Sequence, residues 1–66
     1  MKARLVDLEL MVHHVTDRAV LVSTDGDEAG AVWLPKSRIE LEEEPVAGQA
    51  QIVTMPEVLA IGRELV

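Results

Sequence analysis

Two adjacent histidines, an acidic turn and a run of glutamates are the residues of this chain whose types could do chemistry. His13-His14 offers imidazole nitrogens to a metal ion. On an extended strand, however, neighbouring side chains point to opposite faces, so the pair is not expected to grip one ion. Asp25, Asp27 and Glu28 gather carboxylates around Gly26, oxygen donors of the kind a hard cation takes. Their spacing is not that of an EF-hand loop, and a solvated turn is the simpler reading. Ser23, Ser37 and the threonines lack the context of a nucleophile elbow, and phosphate-binding glycine motifs are absent from the sequence. No catalytic group, metal site or cofactor is expected, and the chain does not read as an enzyme.

Glu40, Glu42, Glu43 and Glu44 form the second acidic set. Arg38-Ile39-Glu40-Leu41-Glu42 alternates polar and apolar residues, as a strand with one buried face does. Extended through Glu44, that strand would carry Glu40, Glu42 and Glu44 on one face, ~6.6 Å apart. Phosphates along a winding nucleic-acid strand have an axial rise of ~3.4 Å and a comparable separation along their path. A row of carboxylates at this interval would suit a phosphate-binding groove on another protein. The plain alternative is a charged edge that keeps the sheet from aggregating. The expected partner-binding residues are Glu40, Glu42, Glu44 and Glu43, with Asp25, Asp27 and Glu28 on the turn as a second group.

The elements that must position these groups follow from the hydropathic period. Arg4 to His14 alternates, with Val6, Leu8, Leu10 and Val12 on one face and Asp7, Glu9, Met11 and His13 on the other. Val15-Thr16-Asp17-Arg18 supplies turn residues, and Ala19-Val20-Leu21-Val22 reads as a central strand. Thr24 to Glu28 is a turn built on Asp-Gly, within a link that extends to Ala31. Val32-Trp33-Leu34 reads as a short buried strand interrupted at Pro35. Trp33, the sole aromatic residue, is expected to plug an otherwise aliphatic core, the alternative being an exposed binding anchor. Proline and glutamate repulsion end the next strand at Pro45. Val46 to Val53 is the last strand, with an irregular start at Gly48. Thr54-Met55-Pro56-Glu57 matches a capping box, opening a helix whose apolar stripe is Val58, Leu59, Ile61, Leu65 and Val66. Gly62 is expected to let that helix approach the sheet closely. The fold class is α+β: a small antiparallel sheet of four or five strands, with meander pairing or an SH3-like curl, closed by one C-terminal α-helix.

The chain has 66 residues, so a single small domain over 1–66 is expected. Six Lys and Arg face twelve Asp and Glu, a net charge of −6. Nucleic-acid binders need the opposite sign, so no direct nucleic acid is expected and a basic protein is the complement. One tryptophan without Phe or Tyr cannot build a stacking platform for single strands. No apolar run reaches the ~20 residues of a membrane span, and none reads as a signal-peptide core. The absence of cysteine fits a reducing compartment.

The run Val32-Trp33-Leu34-Pro35-Lys36-Ser37-Arg38-Ile39-Glu40 resembles a segment of short proteins encoded by phages and prophages. Val20 to Ser23, Asp25-Gly26 and Met55 to Glu57 fit the same pattern, which often has Trp after Pro-Glu where this chain has Val58. The resemblance carries no catalytic motif. It implies a phage-borne accessory protein in the cytoplasm of a bacterial host, a class that includes inhibitors of host defence such as anti-CRISPR proteins. The expected function is therefore binding to a host protein with a basic nucleic-acid-binding surface, blocking DNA access, as a monomer or homodimer. The alternative is a structural or regulatory module of a phage recombination or replication region, with acidity serving only solubility.

Overall fold

The alternation of Val6, Leu8, Leu10 and Val12 against Asp7, Glu9 and Met11 builds β1 (Leu5–Val15), the longest strand and the centre of the sheet. The computed structural model describes residues 4–66. After β1 come β2 (Ala19–Ser23), β3 (Val32–Pro35), β4 (Glu40–Leu41), β5 (Ala50–Pro56) and the helix α1 (Glu57–Gly62). The strands form one five-stranded sheet in the order β3-β2-β1-β5-β4, and every pairing is antiparallel. A meander (β1-β2-β3) and a hairpin (β4-β5) are thus joined where the first strand lies beside the last. Thr16 closes the first hairpin, its hydroxyl taking the N–H of Ala19 at 3.0 Å.

β3 and β4 are the two opposite edges, yet only Lys36 to Ile39 separate them. The chain from Pro35 to Glu40 spans at most ~18 Å even when extended. Lys36–Arg38 form a 3-10 turn, which shortens that reach. Five flat strands would be ~19 Å wide. The edges can be bridged only because the sheet curls, and Pro35 sits at the corner. A register shift between Val12 and His14 marks a bulge in β1, which adds to the bend.

The concave side holds the core. Leu10, Val12, Val20, Val22, Leu34, Val53 and Met55 are each exposed by 1% or less, and Leu59, Ala60 and Leu65 close it from the C-terminal end. Each large aliphatic side chain so buried contributes roughly 1.5–3 kcal/mol relative to exposure. Val6, Leu8, Val32, Ile39 and Leu41 pack against this cluster from the margins.

Four local expectations are corrected. Trp33 is 47% exposed rather than a core plug. The pairings Val20↔Leu34 and Val22↔Val32 put those residues on the core side, so Trp33, opposite Leu21, must face outward. Thr54 does not cap a helix. Sheet pairing continues through Thr54 and Met55 to Pro56, and the Thr54 hydroxyl donates instead to Asp7 Oδ1. The last strand begins at Ala50 because Val46 to Gln49 form a turn, with Gly48 at φ 91° and the Gln49 N–H on the Val46 carbonyl at 3.1 Å.

Gly62 is the fourth. A Cβ built there meets nothing within 4 Å, so close packing is not its role. The helix ends in a Schellman motif: the Leu65 N–H reaches the Ala60 carbonyl at 2.8 Å and the Glu64 N–H the Ile61 carbonyl at 3.0 Å. The left-handed position glycine normally fills is held by Glu64 at φ 58°. The two residues therefore stand in each other's favoured places. Gly62→Ala is expected to raise stability by up to ~1 kcal/mol, and Glu64→Gly by about 0.5–1 kcal/mol. Chemical denaturation of each variant checks both signs.

Candidate interaction surface

Antiparallel register places directly paired residues on one face, so the pairings define the convex side of the sheet. One row crosses it as Glu40, Thr54 and Asp7. The next pairs Ile52 with Glu9, and a third runs Ala50, Met11 and Ser23. Beyond the bulge, His14, Leu21 and Trp33 form a fourth. Met11, Leu21 and Ile52 are only partly buried, and they are not among the half-buried apolar residues packed on the core. The convex face therefore has an apolar middle of Met11, Leu21, Trp33 and Ile52, with acids toward the β4 side.

The row of glutamates does not form. β4 is two residues long, and only Glu40 of the set lies in a strand. The chain leaves the sheet at Glu42, whose N–H still reaches the Ile52 carbonyl at 3.3 Å. The Glu43 N–H is then drawn to the side-chain oxygen of Gln51 at 3.1 Å, which satisfies a buried amide. Glu43 and Glu44 sit in the following irregular segment, exposed, ahead of Pro45. What comes together instead is Glu40, Glu42 and Asp7, around a shallow cleft of about 250 Å³ that Ile52, Thr54 and Leu41 complete. Asp7 and Glu9 fall on the outer face of β1 in the sequence pattern itself, so their alternation with the core valines and leucines was the available signal.

The turn acids have structural tasks. Asp25 Oδ1 accepts the Asp27 N–H, and Asp27 Oδ1 accepts the Ala29 N–H, each at 2.9 Å. Asp27 thereby caps the 3-10 turn Glu28–Gly30, and Gly26 takes the φ of 81° that the loop needs. The link is thus a longer loop rather than a two-residue hairpin. Glu28 Oε2 lies 3.1 Å from His14 Nε2, which brings this loop beside the convex face. His13 turns to another partner, with its Nε2 2.8 Å from the hydroxyl of the buried Ser23. The two imidazoles are therefore engaged separately, His13 with a hydroxyl and His14 with a carboxylate.

Elsewhere, Arg63 Nε donates to the Trp33 carbonyl at 3.2 Å, covering part of the open edge of β3. Val58, Ile61 and Val66 are exposed at the C-terminal end rather than forming one buried stripe with Leu59 and Leu65. Among the described residues, no helix is long and apolar enough to cross a membrane. The chain matches no known family model, no curated protein and no solved structure.

Proposed function

We propose that this chain is an interaction protein whose acidic surface occupies the basic, nucleic-acid-binding surface of a protein partner and so blocks access of DNA or RNA. The observation that carries the reading is the uncompensated charge beside the sheet. Among the described residues the Lys or Arg ion pair is Arg4 with Glu57 at 3.9 Å, and His14 Nε2 lies 3.1 Å from Glu28, so Asp7, Glu9, Glu40 and Glu42 are left without a cation. A cationic surface would gain from meeting them, chiefly in association rate and specificity. The resemblance to phage-borne proteins extends the proposal to a defence complex of a bacterial host, a CRISPR effector being one such target.

The test is affinity capture from a CRISPR-bearing bacterial lysate at two salt concentrations, with added DNA as competitor. The captured protein should be released by DNA and by salt, since screening shortens the reach of charge from ~10 Å at 0.1 M to ~3 Å at 1 M. Changing Glu9, Glu40 and Glu42 together to Gln should weaken capture about tenfold or more at low salt, a loss of ~1.4 kcal/mol per tenfold. The same change at Glu43 and Glu44 should matter less, because they lie outside the face. Capture that ignores salt, DNA and all these variants would leave acidity as a solubility device and favour the accessory-module reading.

A further inference from the structure

We propose that the convex sheet face is the docking surface, and that its occupant is a cationic, amphipathic segment of a partner protein. An apolar side chain of that segment sits against Trp33, Leu21 and Met11, and its Lys or Arg residues reach the carboxylates on either side. This rests on the reading that the partner is basic, and adds where and through which chemistry it binds.

The register carries the argument. Trp33 and Leu21 are directly opposed across β2 and β3, and the bulge in β1 brings His14 into the same row. Met11 stands in the next row, and none of these side chains is used by the core. A tryptophan half in water on a sheet face is the kind of anchor that dominates binding energy when a partner covers it. Along β1, Glu9 lies ~6.6 Å and Asp7 ~13 Å beyond Met11. At the other end Glu28 is held against His14. The apolar middle is therefore bracketed by carboxylates along the strand direction.

That bracketing selects the occupant. A second copy would bring another chain of net charge −6 against the same acids. Nucleic acid would meet the same repulsion. Arg63 is committed to the Trp33 carbonyl at the sheet edge. From His14 to Asp7 the strand runs ~23 Å, the length of a helix of ~15 residues.

Trp33 is the only aromatic residue, so intrinsic emission reports on this face alone. The probes are two synthetic peptides of about 15 residues with equal positive charge. One is built of Leu and Lys with one apolar helical face, and in the other every Leu is replaced by Ser. The Leu–Lys peptide should bind saturably by calorimetry and shift Trp33 emission to the blue. The Ser–Lys peptide should bind at least tenfold more weakly. Leu21→Ala and Trp33→Ala should each weaken the Leu–Lys peptide by tenfold or more while keeping a cooperative unfolding transition. Trp33→Leu, which retains an apolar group, should recover part of the loss. Binding seen by calorimetry with unchanged Trp33 emission overturns the docking face while leaving the acidic reading intact. Equal binding of the two peptides overturns the apolar seat. Failure of both peptides to bind at low salt overturns the face and the acidic reading together. A blue shift of the protein alone with rising concentration, accompanied by a doubling of mass, would assign the face to a second copy instead.

Discussion

Leu34→Ala is expected to remove about 2–5 kcal/mol of stability, the usual result of emptying a fully buried leucine site. Trp33→Ala, one residue earlier and far larger in volume, is expected to remove only about 1 kcal/mol, the scale of one cross-strand pair. The contrast follows from the phase of β3: Leu34 has no exposed surface, whereas Trp33 keeps nearly half of its own in water. A domain of this size commands roughly 3–10 kcal/mol in total. Leu34→Ala should therefore unfold a measurable share of molecules, and Trp33→Ala should leave the fold intact. Urea titration followed by far-ultraviolet circular dichroism reads both variants without relying on the tryptophan. The reverse order of midpoints would place Trp33 in the core and remove the basis of the docking proposal.

The second large effect concerns α1. A chain ending at Pro56 should lose cooperative unfolding and associate. Leu59, Ala60 and Leu65 would be gone from the one buried cluster they form with residues of β1 and β5, the strands α1 packs on. Such a short helix has no stability of its own and exists because it is docked, so the dependence runs both ways. The truncation also removes Arg63 from the Trp33 carbonyl, baring the edge of β3 for pairing with another chain. Sedimentation and a thermal scan check this. A monomeric truncated protein with a sharp transition would show that the sheet holds its core alone.

How far the fold was legible depended on whether local sequence set the phase of each strand. In β1, polar residues alternate with aliphatic ones, and the core side was readable without any partner. Val32-Trp33-Leu34 contains no polar residue, so nothing local says which side faces in. Only pairing with Val20 and Val22 decides it, and that information lies elsewhere in the chain. At Arg38 to Glu42 the alternation was present, but a 3-10 turn consumed its start and Gln51 drew off its end, leaving two residues of strand. Thr54 to Glu57 matched a capping pattern that lost to sheet pairing with Asp7 and Glu40. The candidate surface was half visible: Asp7, Glu9 and Met11 shared a face by pattern, while Leu21, Trp33 and Ile52 joined them only through register.

The pairing of β1 with β5 also sets the order in which the molecule can assemble. Leu5 lies opposite Pro56, so the central strand receives one neighbour from the adjacent hairpin and the other from the last strand in sequence, β5. Bringing those positions together closes a loop of about 50 residues, an entropy cost of ~3.5 kcal/mol beyond the constant term. β1, β2 and β3 have only local turns to make and can pair first. During that interval β1 presents a bare edge. Non-local closure of this kind belongs to folding times of milliseconds to seconds rather than microseconds. The sheet cannot close until β5 has reached its place beside β1.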